Sequence, residues 1–170
     1  MTTRQPSYTQ LMILRCGGSI RTEIENAFPY TEQAHITIRF PRALLYFEDR
    51  KPLERLQRSL NGLRLPALHP GGRRVAGDRT QRGMFVDSLD ADTPVSVTMK
   101  TEAGYLPVAR AVLGSTVIDL LDRQAAKSFK LAVDQALYLS RETFPPDSVA
   151  DIPMGYALGL PEMGLARDLA

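Results

Sequence analysis

The 170-residue chain has one cysteine, two histidines and no long apolar run. A single cysteine, Cys16, excludes an intramolecular disulfide. Two histidines far apart in sequence, His35 and His69, offer no cluster with metal-ligand spacing, so neither a metal nor a cofactor is expected. The apolar run nearest the start, LMILRC (Leu11 to Cys16), is interrupted by Arg15. A secretory leader needs about 7–15 apolar residues and a membrane helix about 20. No membrane partner is therefore expected, and the cytoplasm is the expected compartment.

Catalytic patterns are missing as well. There is no Gly-x-Ser-x-Gly, and no Gly-Lys-Ser/Thr follows the glycines of CGGSIRT. Cys16 and Arg21 are separated by four residues, where the loop of cysteine phosphatases has five. Gly17, Gly18 and Ser19 read more simply as a turn and a helix cap. The carboxylate pairs Glu48/Asp49 and Asp90/Asp92 fall in charged or turn-forming surroundings. No residue is assigned a catalytic role, and the chain reads as non-enzymatic.

What is present is arginine, unevenly placed. Residues 1–82 hold fourteen Lys/Arg against seven Asp/Glu, and residues 83–170 hold seven against twelve, a charge of +7 followed by −5. Arginine's planar fork grips phosphate with two parallel hydrogen bonds, which lysine cannot do. The densest stretch is HPGGRRVAGDRTQRG. Its glycines allow close backbone approach to a ligand, and Arg73, Arg74, Arg79 and Arg82 outweigh Asp78. No aromatic lies between Leu65 and Arg82, so phosphate contact is favoured there over base stacking.

Hydrophobic periodicity predicts an α+β fold: a mostly antiparallel sheet packed by one long helix over about 115–143. Val117, Leu121, Ala125, Phe129, Ala132, Ala136 and Leu139 form its apolar stripe. Short helices are predicted near 20–28, from Ile20, Ile24 and Phe28, and over 52–61. Strands are predicted around 8–15, 35–40, 83–88, 94–102 and 105–114. In the second of these, Ile36, Ile38 and Phe40 take one face and His35, Thr37 and Arg39 the other. A strand with polar readers followed by a helix also suits a ribbon-helix-helix DNA binder, which makes His35, Thr37 and Arg39 a candidate nucleic-acid-facing set. Residues 1–143 are read as a single α+β domain. Residues 144–170, with four prolines and three glycines, are read as an extended tail docking through Met154, Tyr156 and Leu158 on the domain or on a second subunit.

The stretch DRTQRGMFVDS followed by PVSVTMKTEAGYLPVARAVLG resembles the second half of a PilZ domain over residues 78–114. That family carries Asp/Asn-x-Ser-x-x-Gly at the start of a strand, then a barrel meander and a closing helix. Asp78, Thr80 and Gly83 match the motif, with Thr in place of Ser. The resemblance implies a receptor or adaptor for cyclic di-GMP. The family's upstream Arg-x-x-x-Arg has no counterpart here, since Arg39/Arg42, Arg55/Arg58 and Arg79/Arg82 are each one residue too close.

The leading expectation is a binding or assembly protein that touches nucleic-acid phosphates through Arg73, Arg74, Asp78, Arg79, Arg82 and Gly83, with a protein partner or a second copy on the tail. A degenerate PilZ-like receptor is the alternative. A third reading is an enzyme that uses the loop as an anion clamp, with His69 as its base.

Overall fold

A computed structural model describes residues 12–71, 84–101 and 106–144. The loop residues 72–83 and the tail from residue 145 lie outside them.

The architecture is α+β, with eight strands in two four-stranded sheets and two helices among the described residues. The strands are β1 (Met12–Cys16), β2 (Glu23–Ala27), β3 (His35–Phe40), β4 (Ala43–Phe47), β5 (Phe85–Leu89), β6 (Val95–Lys100), β7 (Val108–Leu113) and β8 (Thr116–Leu120). The helices are α1 (Arg50–Asn61) and α2 (Arg123–Thr143), and a 3-10 turn covers Leu65–Ala67. One sheet has the order β1-β8-β7-β6 and the other β2-β3-β4-β5. Two pairs are parallel, β1 with β8 and β4 with β5, and the rest are antiparallel. Strand pairing is thus mostly antiparallel, but in two sheets where the sequence suggested one.

Alternation places the core. Ile36, Ile38 and Phe40 of β3 and Ala43, Leu45 and Phe47 of β4 point inward across a two-residue hairpin. Helix α2 lies along β2 and β3 and packs on α1, which also covers β6. Its buried stripe is Ala125, Ala126, Phe129, Ala132, Val133 and Ala136, as the periodicity requires. Phe129 stacks on Phe40 with ring centroids 5.6 Å apart. Across the helix pair, Gln57 donates to Asp134, which also pairs with Lys130 at 2.7 Å.

Two predicted helical stretches are strands. Residues 23–27 form β2, paired antiparallel with β3, where a helix over 20–28 was expected. Ile24 and Phe28 are four apart, and four is an even number, so the spacing fits one face of a strand as well as one face of a helix. Ile24 is half-buried in register with Ile38, while Phe28 ends the strand and is 57% exposed. The long helix begins at Arg123, not 115. The preceding TVIDL is β8, the central strand beside β1 and β7, buried at every position. Thr116, Val117 and Ile118 are β-branched, and Gly114 with φ +58° makes the tight turn from β7.

Asp122 caps α2. Its Oδ1 accepts from the Ala125 N–H at 2.8 Å, and its Oδ2 accepts from the Gly18 N–H at 2.7 Å. The carboxylate is fully buried, so its removal also strands the Gly18 donor. Asp122→Ala is expected to cost about 2–4 kcal/mol, from the lost cap and the unsatisfied N–H together. Urea denaturation checks this; a loss below about 0.5 kcal/mol would contradict it.

Candidate functional site

Arg73, Arg74, Asp78, Arg79, Arg82 and Gly83 lie outside the described residues, but both ends of their loop are defined. At the near end, the Arg123 N–H donates to the His69 carbonyl at 2.8 Å. The Arg123 side chain donates to the carbonyls of Leu68 and Pro66 at 3.1 and 2.7 Å. The His69 ring accepts from the Gly71 N–H at 3.3 Å through Nδ1, which engages that nitrogen in shaping the loop base. At the far end, the Phe85 N–H donates to the Arg42 carbonyl as β5 joins β4.

This connection is a parallel crossover, β4 to α1 to β5. Phosphate-cradling loops in such units follow the first strand and open the helix, where free N–H groups meet the positive end of the helix dipole. Here the Gly/Arg loop follows the helix and opens the second strand. Nor is the start of α2 vacant for an anion, since Asp122 already supplies a carboxylate to it. The position of residues 72–83, between α1 and β5, is therefore not that of a phosphate-cradling loop in such a unit.

The described cations upstream of that segment lie on α1 and just after it. Lys51, Arg58 and Arg64 are exposed, and no carboxylate pairs with any of them among the described residues. Arg50 pairs with Glu54 at 2.8 Å, and Arg55 donates to the Thr93 carbonyl. The opposite face is apolar, with Pro52, Leu53, Leu56 and Leu60 buried.

His35, Thr37 and Arg39 share the outward face of β3, as alternation predicts, but their neighbours are acidic. Arg39 faces Glu23 at 4.0 Å, Thr37 Oγ1 donates to the Glu25 carbonyl at 3.5 Å, and the His35 ring lies between Phe28 and Tyr46. Carboxylates of Glu23, Glu25 and Glu48 stand beside this strand and repel phosphate.

The CGGS segment is a turn. Gly18 takes φ +71° and gives its N–H to Asp122, and the Leu121 N–H donates to the Cys16 carbonyl. Burial, then the Asp119 charge, push the Cys16 thiol up to about 11, so it carries no activated thiolate.

Sequence reasoning missed the cross-strand pair of Arg110 and Asp119, joined by two hydrogen bonds of 2.7 and 2.8 Å on the sheet face away from the core. It also missed Asp87, whose Oδ2 accepts from Ser115 and Thr116 and joins β5 to the start of β8. A lone arginine in VARAVL and a lone aspartate in TVIDL, opposite charges in two adjoining apolar runs, were the available signal for the first. Among the described residues no three His, Cys, Asp or Glu are placed to hold a metal, and no helix is long and apolar enough to cross a membrane.

No protein-family model, curated protein or solved structure matches the chain.

With its pKa near 11, Cys16 should be about one part in a thousand thiolate at pH 8. Alkylation by iodoacetamide at that pH is expected to run at least about 100-fold slower in the native protein than in urea. Equal rates, followed by mass spectrometry, would contradict the assignment.

Proposed function

We propose that this is a non-enzymatic, cytoplasmic binding protein that contacts the phosphate backbone of a nucleic acid through the outward face of α1 and the loop that follows it. One observation carries the reading. Residues 50–82 hold nine Lys/Arg against two Asp/Glu, the whole of the basic excess of the N-terminal half. The described part of that excess stands on the solvent side of α1 and just beyond its end, with Lys51 and Arg58 on the helix and Arg64 after it, none of them facing a carboxylate among the described residues. Cations on the outward face of a helix, followed in sequence by an arginine-rich stretch, suit a polyanion that runs along a surface. The partner's sequence is of little consequence in this reading, because phosphates carry no base identity. The tail from residue 144 is the proposed route to a protein partner or a second copy. Phe144, from which it departs, is itself buried.

Binding should weaken steeply with salt, since each neutralised phosphate releases about 0.7–0.9 of a counterion. Fluorescence anisotropy with a labelled 20-nucleotide strand, from 50 to 300 mM KCl, reads the slope. Arg58→Ala with Arg64→Ala, and separately Arg73→Ala with Arg74→Ala, should each flatten it by about 1–2. Affinity that ignores salt, or no binding at 50 mM, would overturn the proposal.

A second reading draws on element order. Strand β5 begins two residues after Gly83, and β6, β7, β8 and α2 follow as a meander and a closing helix. That order is the one the PilZ resemblance implies, with Asp78 and Arg79 as nucleotide contacts, although β5 pairs in one sheet and β6, β7 and β8 in the other. Calorimetry with cyclic di-GMP separates the two readings: saturable heat abolished by Asp78→Ala or Arg79→Ala would favour the second.

A further inference from the structure

The outward face of the β2-β3-β4-β5 sheet holds a cleft of about 280 Å³, lined by Glu32, Gln33, Ala34, His35, Tyr46 and Glu48. Three rings stand in series beside it. Phe28 and His35 have centroids 5.9 Å apart, and His35 and Tyr46 5.5 Å, each pair tilted. The turn that presents Phe28 is firmly tied. The Tyr30 N–H donates to the Thr143 carbonyl at the end of α2, and Thr31 donates twice to the Phe28 carbonyl, from its backbone at 3.2 Å and its hydroxyl at 2.7 Å. The His35 Nδ1 lies 3.0 Å from the Gln33 carbonyl, a contact that fixes the ring. Glu48 is held by the Ser88 hydroxyl. No cation lines the cleft, and neither Glu32 nor Glu48 forms an ion pair among the described residues.

The chemistry on offer is π-faces beside unpaired carboxylates, which attracts a cation. The volume falls below the roughly 300–1,000 Å³ of small-molecule sites and suits a single long side chain. A guanidinium fits better than an ammonium, because its flat plane stacks on a ring while its edge donates two hydrogen bonds to a carboxylate. We propose that this cleft is a docking site for an arginine side chain presented by a partner polypeptide. The site is independent of the phosphate surface: it has the opposite charge and uses none of the same residues.

The test is an NMR titration of the full chain with a blocked Gly-Arg-Gly-Arg-Gly peptide, following the His35 and Tyr46 ring signals, with lysine and citrulline versions alongside. Saturable shifts at both rings are expected with the arginine peptide, binding at least about threefold weaker with lysine, and none with citrulline. Glu32→Gln with Glu48→Gln should weaken binding about tenfold, and Tyr46→Leu about threefold. Glu142→Gln, an exposed acid on α2, should change nothing. The substituted carboxylates are exposed, and an unchanged amide spectrum elsewhere verifies the fold of each variant. Equal binding by the citrulline or lysine peptide, or shifts that never saturate, would overturn the proposal. Dimerisation of the protein alone that disappears with Glu48→Gln would also overturn it, by giving the cleft to a second copy of this chain.

Discussion

The junction at Asp122 and Arg123 is the constraint on which the rest of this structure depends. Four segments meet there: the exit from β1, the end of β8, the start of α2 and the approach to the basic loop. A buried carboxylate is costly unless donors surround it. Asp122 has the Gly18 and Ala125 N–H groups and the positive end of a 21-residue helix. Arg123 then reaches the other way, onto the carbonyls of Pro66 and Leu68, and its own N–H holds the His69 carbonyl. One adjacent pair of opposite charges thus sets the register of α2 and pins the root of the loop. Asp87 does comparable work at the other junction, tying β5 of one sheet to the start of β8 in the other.

Within the N-terminal half of the chain, charges of opposite sign are separated in space. Cations concentrate on the outward side of α1 and in the loop it feeds, while the outward face of β2, β3 and β4 gathers carboxylates around aromatic rings. The two proposals together make the chain a link between a polyanion and a basic polypeptide.

Much of the fold was legible because burial leaves a period. The alternation in HITIRF and the three-to-four spacing from Ala125 to Leu139 each had one solution, and the structure adopts it. The failures came where a pattern had two. Ile24 and Phe28 satisfy both periods, and TVIDL, as a central strand with every residue buried, shows no alternation of burial. The parallel pairings of β1 with β8 and β4 with β5 join segments distant in sequence, and no local signal announces them. The candidate site shows the same limit. That His35, Thr37 and Arg39 share a face was readable from β3 alone. The sign of that face was not, because Glu23 and Glu25 come from β2, whose pairing a helical reading of residues 20–28 conceals. The cations of α1 were plain in the sequence, but their common outward face rests on the helix turning Pro52, Leu53, Leu56 and Leu60 inward.

The most direct test is an arginine footprint. Phenylglyoxal modification, read by mass spectrometry with and without a saturating 20-nucleotide strand at 50 mM salt, reports which guanidinium groups the nucleic acid covers. The account predicts protection of Arg58, Arg64, Arg73, Arg74, Arg79 and Arg82, with Arg39 and Arg141 modified equally in both samples. Protection centred on Arg39, or none within residues 50–82, would contradict it.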